Sequence, residues 1–369
     1  MKIPYLDLRQ LNAECMPQIE QAALHTMRSG LYLNDSNVYE FEQSWAKGNR
    51  TKHCISTANG LDALTAALSA MKALYSWNDG SEVVVSAHTF IASFEAITRA
   101  GLMPVPCDVN ITDYNINCNL IESLINDKTV AVMPVHLYGR ECDMKRIKEI
   151  ANRHHLKIIT DSCQRHSLNN NDNITATISD AVAFSFYPGK NLGALGDAGC
   201  LITNNTELAD LARTFCNYGA RIKYHHDMKG INSRMDAVQA AILNVKIPIL
   251  NHQNAIRQSQ AERYNQAINN PVITLPYDSK ETEKSVWHIY PVFCQHRDKL
   301  QNYLSELGIG TIIHYPIPPH KQLAYREINH LSLPITEQLC ATELSLPLNP
   351  TLTLEEQDYI IEALNSFQS

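Results

Sequence analysis

The chain has 369 residues, 44 % of them hydrophobic, and a formal net charge of −7, enough for a large domain and a smaller one. The acidic balance without a Lys/Arg run argues against a nucleic-acid or anionic-membrane surface. No apolar run reaches the length of a membrane span, and the start, Met1-Lys2-Ile3-Pro4, lacks the apolar stretch of a secretory signal.

Strand and helix patterns alternate through the first two thirds. Cys54, Ile55 and Ser56 read as a short strand, and after Asn59-Gly60 a helix carries Leu61, Leu64, Leu68 and Met71 on one face. Residues 82–85 are a β-branched run typical of a buried parallel strand. A helix over 90–99, a strand over 103–107, a strand over 130–135 and an amphipathic helix over 144–155 follow. Three further strands are predicted at 156–160, 181–184 and 200–203. This order predicts an α/β large domain over 1–245, with a mostly parallel sheet flanked by helices. Beyond it the texture changes: Pro248 interrupts a helical stretch over 236–268, and Asn269-Asn270-Pro271 marks a turn. Short strands and helices alternating over 286–293, 298–307, 310–315 and 336–344 predict a smaller α+β domain over 246–369.

The ten cysteines are scattered without a C-x-x-C pair, and the fifteen histidines show no ligand spacing. Reduced, mostly buried thiols and no metal site are expected, as in a cytoplasm.

Ser56, His88, Asp161 and Ser185 fall at or just after predicted strand ends, where open α/β sheets bind ligands. Lys190 stands downstream of Asp161 in Ser185-Phe186-Tyr187-Pro188-Gly189-Lys190-Asn191-Leu192-Gly193. The glycines there let backbone approach a ligand closely, yet the spacing is neither G-x-G-x-x-G nor a P-loop. A carboxylate at a strand end followed by a lysine in such a turn is what a pyridoxal phosphate site needs. Lys190 would hold the cofactor as a Schiff base, its pKa lowered by desolvation. Asp161 would keep the ring nitrogen protonated, so that the ring accepts electrons. Gln164 can hydrogen-bond the ring hydroxyl. Taken singly, Asp161 is equally an ordinary helix cap and Lys190 an ordinary loop lysine; the pairing favours chemistry.

Asn59, Gly60 and Leu61 form a strand-to-helix turn whose first amides suit a phosphate, with the Ser185 hydroxyl beside them. A plain Asn cap is the competing reading. Phe90 or His88 could stack on the cofactor ring, against a plain core role for Phe90.

The motifs Thr57-Ala58-Asn59-Gly60-Leu61-Asp62-Ala63-Leu64, Ala87-His88-Thr89-Phe90-Ile91-Ala92, Pro134-Val135-His136-Leu137-Tyr138-Gly139, Asp161-Ser162-Cys163-Gln164 and the Lys190 turn carry a resemblance nearly end to end. The chain resembles nucleotide-sugar aminotransferases of the DegT/StrS family, in the aspartate-aminotransferase (fold-type I) superfamily. The resemblance implies a seven-stranded sheet, pyridoxal 5'-phosphate and a cytoplasmic homodimer with shared active sites. It assigns Asn232 to the phosphate of the partner subunit, although Asn232 also reads as a cap for the following helix. Leu61 stands where many relatives have Thr, which leaves the phosphate to backbone amides, and Arg165-His166 replaces the more frequent Ala-His. Tyr187 should face the sugar, Lys223 and its neighbours suit a diphosphate, and His314 and Tyr315 should close over the hexose.

The Lys190 turn most resembles enzymes that aminate C3 of dTDP-3-keto-6-deoxyhexoses. The expected reaction passes the amino group of L-glutamate to C3, giving a galacto or gluco dTDP-3-amino-3,6-dideoxyhexose for glycan or natural-product sugars, with Lys190 as base and then acid. Amination at C4, a sugar dehydratase and a non-catalytic, cofactor-binding regulator are the alternatives. Dehydratase relatives carry histidine in place of the lysine, and the chain shows no helix-turn-helix candidate.

Overall fold

A computed structural model describes residues 1–168, 174–276 and 285–368. Seven strands form the main sheet: β1 (His53–Thr57), β2 (Glu82–Ser86), β3 (Met103–Cys107), β4 (Thr129–Met133), β5 (Lys157–Asp161), β6 (Ala181–Ser185) and β7 (Gly199–Thr203). Their order is β1-β7-β6-β5-β4-β2-β3; only β7 runs antiparallel to its neighbours, so the sheet is mostly parallel, as predicted. Apart from Met103 at the start of β3, the strands are largely buried on both faces, which explains the continuous apolar runs. Within β2, Val83 and Val85 pack under the helix Gly60–Leu74, while Val84 points to the opposite layer with Ile147 and Ile150.

The C-terminal third has its own apolar cluster, built on Tyr264, Trp287, Tyr290, Leu344, Leu346, Ile360 and Leu364. Ile3 joins that cluster and bridges to Ile309, so the first residues run along the C-terminal third. Pro248 acts as expected: the helix Ala237–Lys246 ends in a tight turn, Ile247–Ile249, before the helix Leu250–Ala267. Asp108, at the end of β3, accepts from the Ile335 and Thr336 amides and the Thr336 hydroxyl. Its carboxylate thereby ties the main sheet to the first turn of the helix Pro334–Thr342.

Some boundaries differ from the sequence reading. The helix expected over 90–99 is Ala92–Arg99 and leaves Phe90 outside it. The stretch 310–315 is not a strand but makes an isolated bridge from Ile312 to Ser345. The strand expected over 286–293 is Tyr290–Phe293, paired with Glu343–Leu346; Trp287, at φ 48°, breaks the extended path before it. The helix Pro334–Thr342 occupies most of 336–344. All ten cysteines are free thiols. Among the described residues no helix is long and apolar enough to cross a membrane, and no cluster of His, Cys, Asp or Glu could hold a metal ion.

Candidate active site

Register places the site. Asp161 of β5 is opposite Ala183 of β6, so Asp161 and Ser185 end two adjacent parallel strands. Asp161 is 6 % exposed and does not cap a helix: Oδ1 accepts from the Cys163 amide at 3.1 Å and Oδ2 from the Ser93 hydroxyl at 2.7 Å. Two donors aim the carboxylate. Ser93 is in turn 2.8 Å from Thr89.

Lys190 lies in the turn after β6, its amide donating to the Tyr187 carbonyl at 2.8 Å. Its amine is 3.4 Å from His288 Nε2. Burial lowers the Lys190 pKa, against the opposing charges of Cys163 and Asp161. Asn191 spends its Nδ2 on the carbonyl of Val286 and on Asn254 Oδ1, both at 2.9 Å. Its Oδ1 therefore accepts from His288 Nδ1–H at 3.2 Å, which turns the Nε2 lone pair toward Lys190. Burial, then the Lys190 charge, holds His288 far below its ordinary pKa, so it is neutral.

The turn Leu137–Gly139 sets this geometry. A Cβ on Gly139 would come within 3.0 Å of the His288 and Trp287 amides, and φ 98° at that position itself demands glycine. Tyr138, also left-handed at φ 58°, donates its amide to Gln164 Oε1 at 2.6 Å and accepts the His288 amide on its carbonyl at 3.0 Å. Gln164 Nε2 donates to the Tyr315 hydroxyl at 2.9 Å. His314 donates its amide to Glu343 Oε2 at 2.6 Å, and its Nδ1 meets the Ser345 hydroxyl at 2.8 Å. Burial first, then Lys190, brings the His314 pKa down to about 4. Burial pushes the Glu343 carboxyl up to about 8.

Tyr187, Lys190, Arg257, His288, His314 and Tyr315 are among the residues that line a cavity of about 450 Å³. A cavity of about 470 Å³, lined by Ser56, Arg213 and Arg234 among others, shares none of them.

The Asn59 turn makes the helix cap that was the competing reading. Asn59 Oδ1 caps the helix, accepting from the Asp62 amide at 2.8 Å, which leaves the Gly60 and Leu61 amides without a protein acceptor among the described residues. A Cβ on Gly60 would stand 2.7 Å from Ser185 Cβ and 2.9 Å from Cys163 Sγ, so glycine is what lets the helix start press onto the end of β6. The Ser185 hydroxyl accepts from the Tyr187 amide at 3.3 Å.

Phe90 is 54 % exposed, which overturns a core role, and its ring lies 5.4 Å from that of Tyr315. His88 is instead enclosed, with Nε2 at 2.9 Å from the Tyr138 hydroxyl, and burial holds its pKa at about 4. Arg165 pairs with Glu141 at 3.3 Å, and His166 Nδ1 accepts from the Leu192 amide at 3.1 Å. Lys223 is not brought to the cavity: it is exposed on a hairpin between Ala220–Ile222 and His225–His226, over the Tyr224 ring. Asn232 is exposed too and makes no cap: Asp236 begins the following helix without a side-chain capping bond. Ser93, Arg257 and His288 escaped the sequence reading, and Tyr138 stood in a motif of the resemblance without a role. Ser93 had a weak signal, one turn after Thr89 at a strand end; Arg257 and His288 lie on distant segments with no local mark.

The model of the DegT/DnrJ/EryC1/StrS aminotransferase family matches residues 14–365. The chain is 44 % identical over 365 residues to the dTDP-3-amino-3,6-dideoxy-alpha-D-galactopyranose transaminase of Aneurinibacillus thermoaerophilus, covering 99 % of each. It superposes on S. venezuelae DesV, solved in complex with a ketimine intermediate, with a TM-score of 0.91 and 35 % identity, covering 99 % of this chain and 98 % of that one. It superposes equally, at 0.91 and 32 % identity, on NtdA of Bacillus subtilis with bound cofactor PMP, covering 98 % of this chain and 84 % of that one. The chain belongs to the DegT/DnrJ/EryC1/StrS aminotransferase family.

Proposed function

We propose that this protein is a pyridoxal phosphate-dependent sugar aminotransferase that moves the amino group of L-glutamate to C3 of a dTDP-3-keto-6-deoxyhexose. The observation that carries the reading is the pairing of a buried, pKa-lowered Lys190 amine with the doubly hydrogen-bonded Asp161 carboxylate at the carboxyl edge of one parallel sheet. The likeness to a dTDP-3-amino-3,6-dideoxygalactose transaminase supports the substrate class and C3.

The residues fit the cofactor. Two free amides at Gly60 and Leu61, at a helix start pressed against Ser185, make an anion cup. When bound, pyridoxal phosphate supplies an electron-accepting ring and the carbon that carries the amino group between substrates.

Asp161 would hold the proton on the ring nitrogen, and Ser93 and the Cys163 amide keep its carboxylate aimed. Gln164, fixed at both ends by Tyr138 and Tyr315, would meet the ring hydroxyl. Phe90, exposed beside Tyr315, would cover the ring. Lys190 would anchor the cofactor between turnovers and, once displaced, carry the proton away from the donor Cα and later to C3 of the sugar. Burial lowers its pKa, which favours the unprotonated amine that both tasks need. Tyr187, His314 and Tyr315 line the cavity and would contact the hexose.

The proposed assembly is a cytoplasmic homodimer, with residues 1–245 binding cofactor and 246–369 forming the smaller domain. Asn232 and Lys223, exposed in one chain, would then act across the interface, on the phosphate and on the nucleotide diphosphate. The test is spectroscopic and chemical. The purified protein should be yellow and bleach with L-glutamate, and dTDP-3-keto-6-deoxyhexoses should then emerge as 3-amino sugars by mass and NMR. A yellow protein that no amino donor bleaches would refute the reading.

A further inference from the structure

Two imidazoles line the Lys190 cavity, His288 and His314. Asn191 fixes the first with its proton on Nδ1. The second is fixed through its backbone and its ring. The His314 carbonyl accepts from the Tyr138 hydroxyl at 2.5 Å, and its amide donates to Glu343 Oε2 at 2.6 Å. Its Nδ1 meets the Ser345 hydroxyl at 2.8 Å, and that hydroxyl lies 2.5 Å from Glu343 Oε1. Among the described residues His314 Nε2 has no protein partner.

Counting donors gives each proton a place. Glu343 is fully buried, and among the described residues no basic side chain pairs with its carboxyl. Arg297, the cation facing it, spends Nε on Asp298 and Nη1 on the Cys340 and Glu343 carbonyls. A buried carboxyl without a paired cation keeps its proton, and burial brings this one up to about 8. Oε2 takes the His314 amide, so the proton stands on Oε1 and goes to Ser345. The Tyr5 hydroxyl fills the other lone pair of Ser345. Ser345 then gives its own hydrogen to Nδ1. His314 is neutral, with burial first holding its pKa at about 4, so its single N–H is at Nε2. Tyr5, Tyr114, Tyr315 and Cys340 also face Glu343, and burial raises all four pKa values, that of Cys340 to about 12. Lys190 faces His314.

We propose that Glu343 is a positioning residue: through Ser345 it holds the His314 proton on Nε2, so that this imidazole donates to an oxygen of the hexose while His288 offers Lys190 a lone pair. The proposal rests on the aminotransferase reading above and deepens it. Loss of the Glu343 proton to water reverses the chain. Ser345 then donates to Oε1 and accepts from Nδ1–H, the imidazole exchanges its proton with water, and Nε2 keeps a bare lone pair.

The proton can be read directly. In holoenzyme carrying nitrogen-labelled histidine, NMR tells a protonated ring nitrogen from a bare one, and the signals lost in H314Q are those of His314. At about pH 7 the proton is expected on Nε2 in the wild type and in E343Q. The Gln amide gives Ser345 the same hydrogen, and its oxygen still accepts the His314 amide. At about pH 9.5 the proton should stand on Nδ1 in the wild type and stay on Nε2 in E343Q.

The consequence is read with dTDP-6-deoxygalactose, which has the hexose but no ketone to react, titrated calorimetrically. Wild-type affinity should fall by about fivefold over that pH rise, and that of E343Q should stay within about twofold. Lys190 and cofactor are common to both proteins, so their own titration cancels. Ser345→Ala, which cuts the chain, should bind at neutral pH as weakly as the wild type does at high pH. A proton on Nδ1 at neutral pH overturns the assignment, and so does an E343Q that follows the wild type as pH rises. Should the variants fail to fold, the wild-type tautomer at the two pH values still decides. Bleaching by L-glutamate together with Nδ1–H at neutral pH removes the role of Glu343 and leaves the function standing. Absence of wild-type bleaching removes the function, and with it the hexose as acceptor.

Discussion

The strand-end floor formed by Asp161 and Gln164, tied through Tyr315 to the Lys190 cavity, and the hairpin that carries Lys223 are built in opposite ways. On the floor, the side chains of Asp161 and Gln164 are held at both ends by groups of the same chain, and both residues are 6 % exposed. On the hairpin, Ile222 is 68 % and Tyr224 81 % exposed, and among the described residues the Lys223 ammonium has only the Tyr224 ring, at 5.2 Å. The floor is preorganised within one chain, as transfer of protons at fixed atoms requires. The hairpin offers charge and apolar surface to something outside the chain, in keeping with the proposed second copy.

The contrast can be broken at its strongest point first. Lys190→Ala should cut turnover with L-glutamate by about 10²- to 10⁴-fold, measured by steady-state product formation. Asp161→Asn should lower the glutamate half-reaction by on the order of 10²-fold while Lys190 stays in place, read by stopped-flow bleaching. Gly60→Ala drives a methyl into Ser185 and Cys163, and should cost about 1–3 kcal/mol of stability and loosen cofactor retention, seen in denaturant melts and after gel filtration.

The pH dependence separates the regions more gently. Glu343 is enclosed beneath the His314 wall, and its folded pKa, about 8, lies above its ordinary 4.5. The folded state therefore binds the proton more tightly. The stabilisation is complete below about pH 4.5 and is lost as pH rises toward 8, at a slope of up to about 1.4 kcal/mol per pH unit. Melting curves from pH 5 to 9 should show that slope in the wild type and lack it in Glu343→Gln. Smallest of all is the structural effect of Lys223→Ala. Stability should move by less than about 0.5 kcal/mol, while the KM for the nucleotide ketosugar rises up to about fivefold. A large stability loss there would erase the distinction between floor and hairpin.

The sheet was legible because a parallel strand, buried on both faces, writes itself as an apolar run such as Val83-Val84-Val85. Asp161, Ser185 and Lys190 were legible because strand ends are where chain order and geometry coincide. The C-terminal stretch was less so: the run 310–315 looks extended, yet only Ile312 finds a bridging partner. For Phe90 the sequence left a core role open beside stacking, because hydrophobicity does not say which side of a turn a ring leaves by; its exposure removes the core role.

Short-range order along this chain was enough for the sheet, the lysine turn and the carboxylate facing it, since each depends on neighbours within a strand or a turn. His288, Arg257 and Tyr138 took their places through contacts between segments far apart in the chain, pinned by Gln164, Asn191 and a glycine with no room for a methyl. A hydrogen bond acts across space and leaves no periodic trace in the residues between its partners. That is why the residues around the cavity emerged with the fold, and the strand-end floor before it.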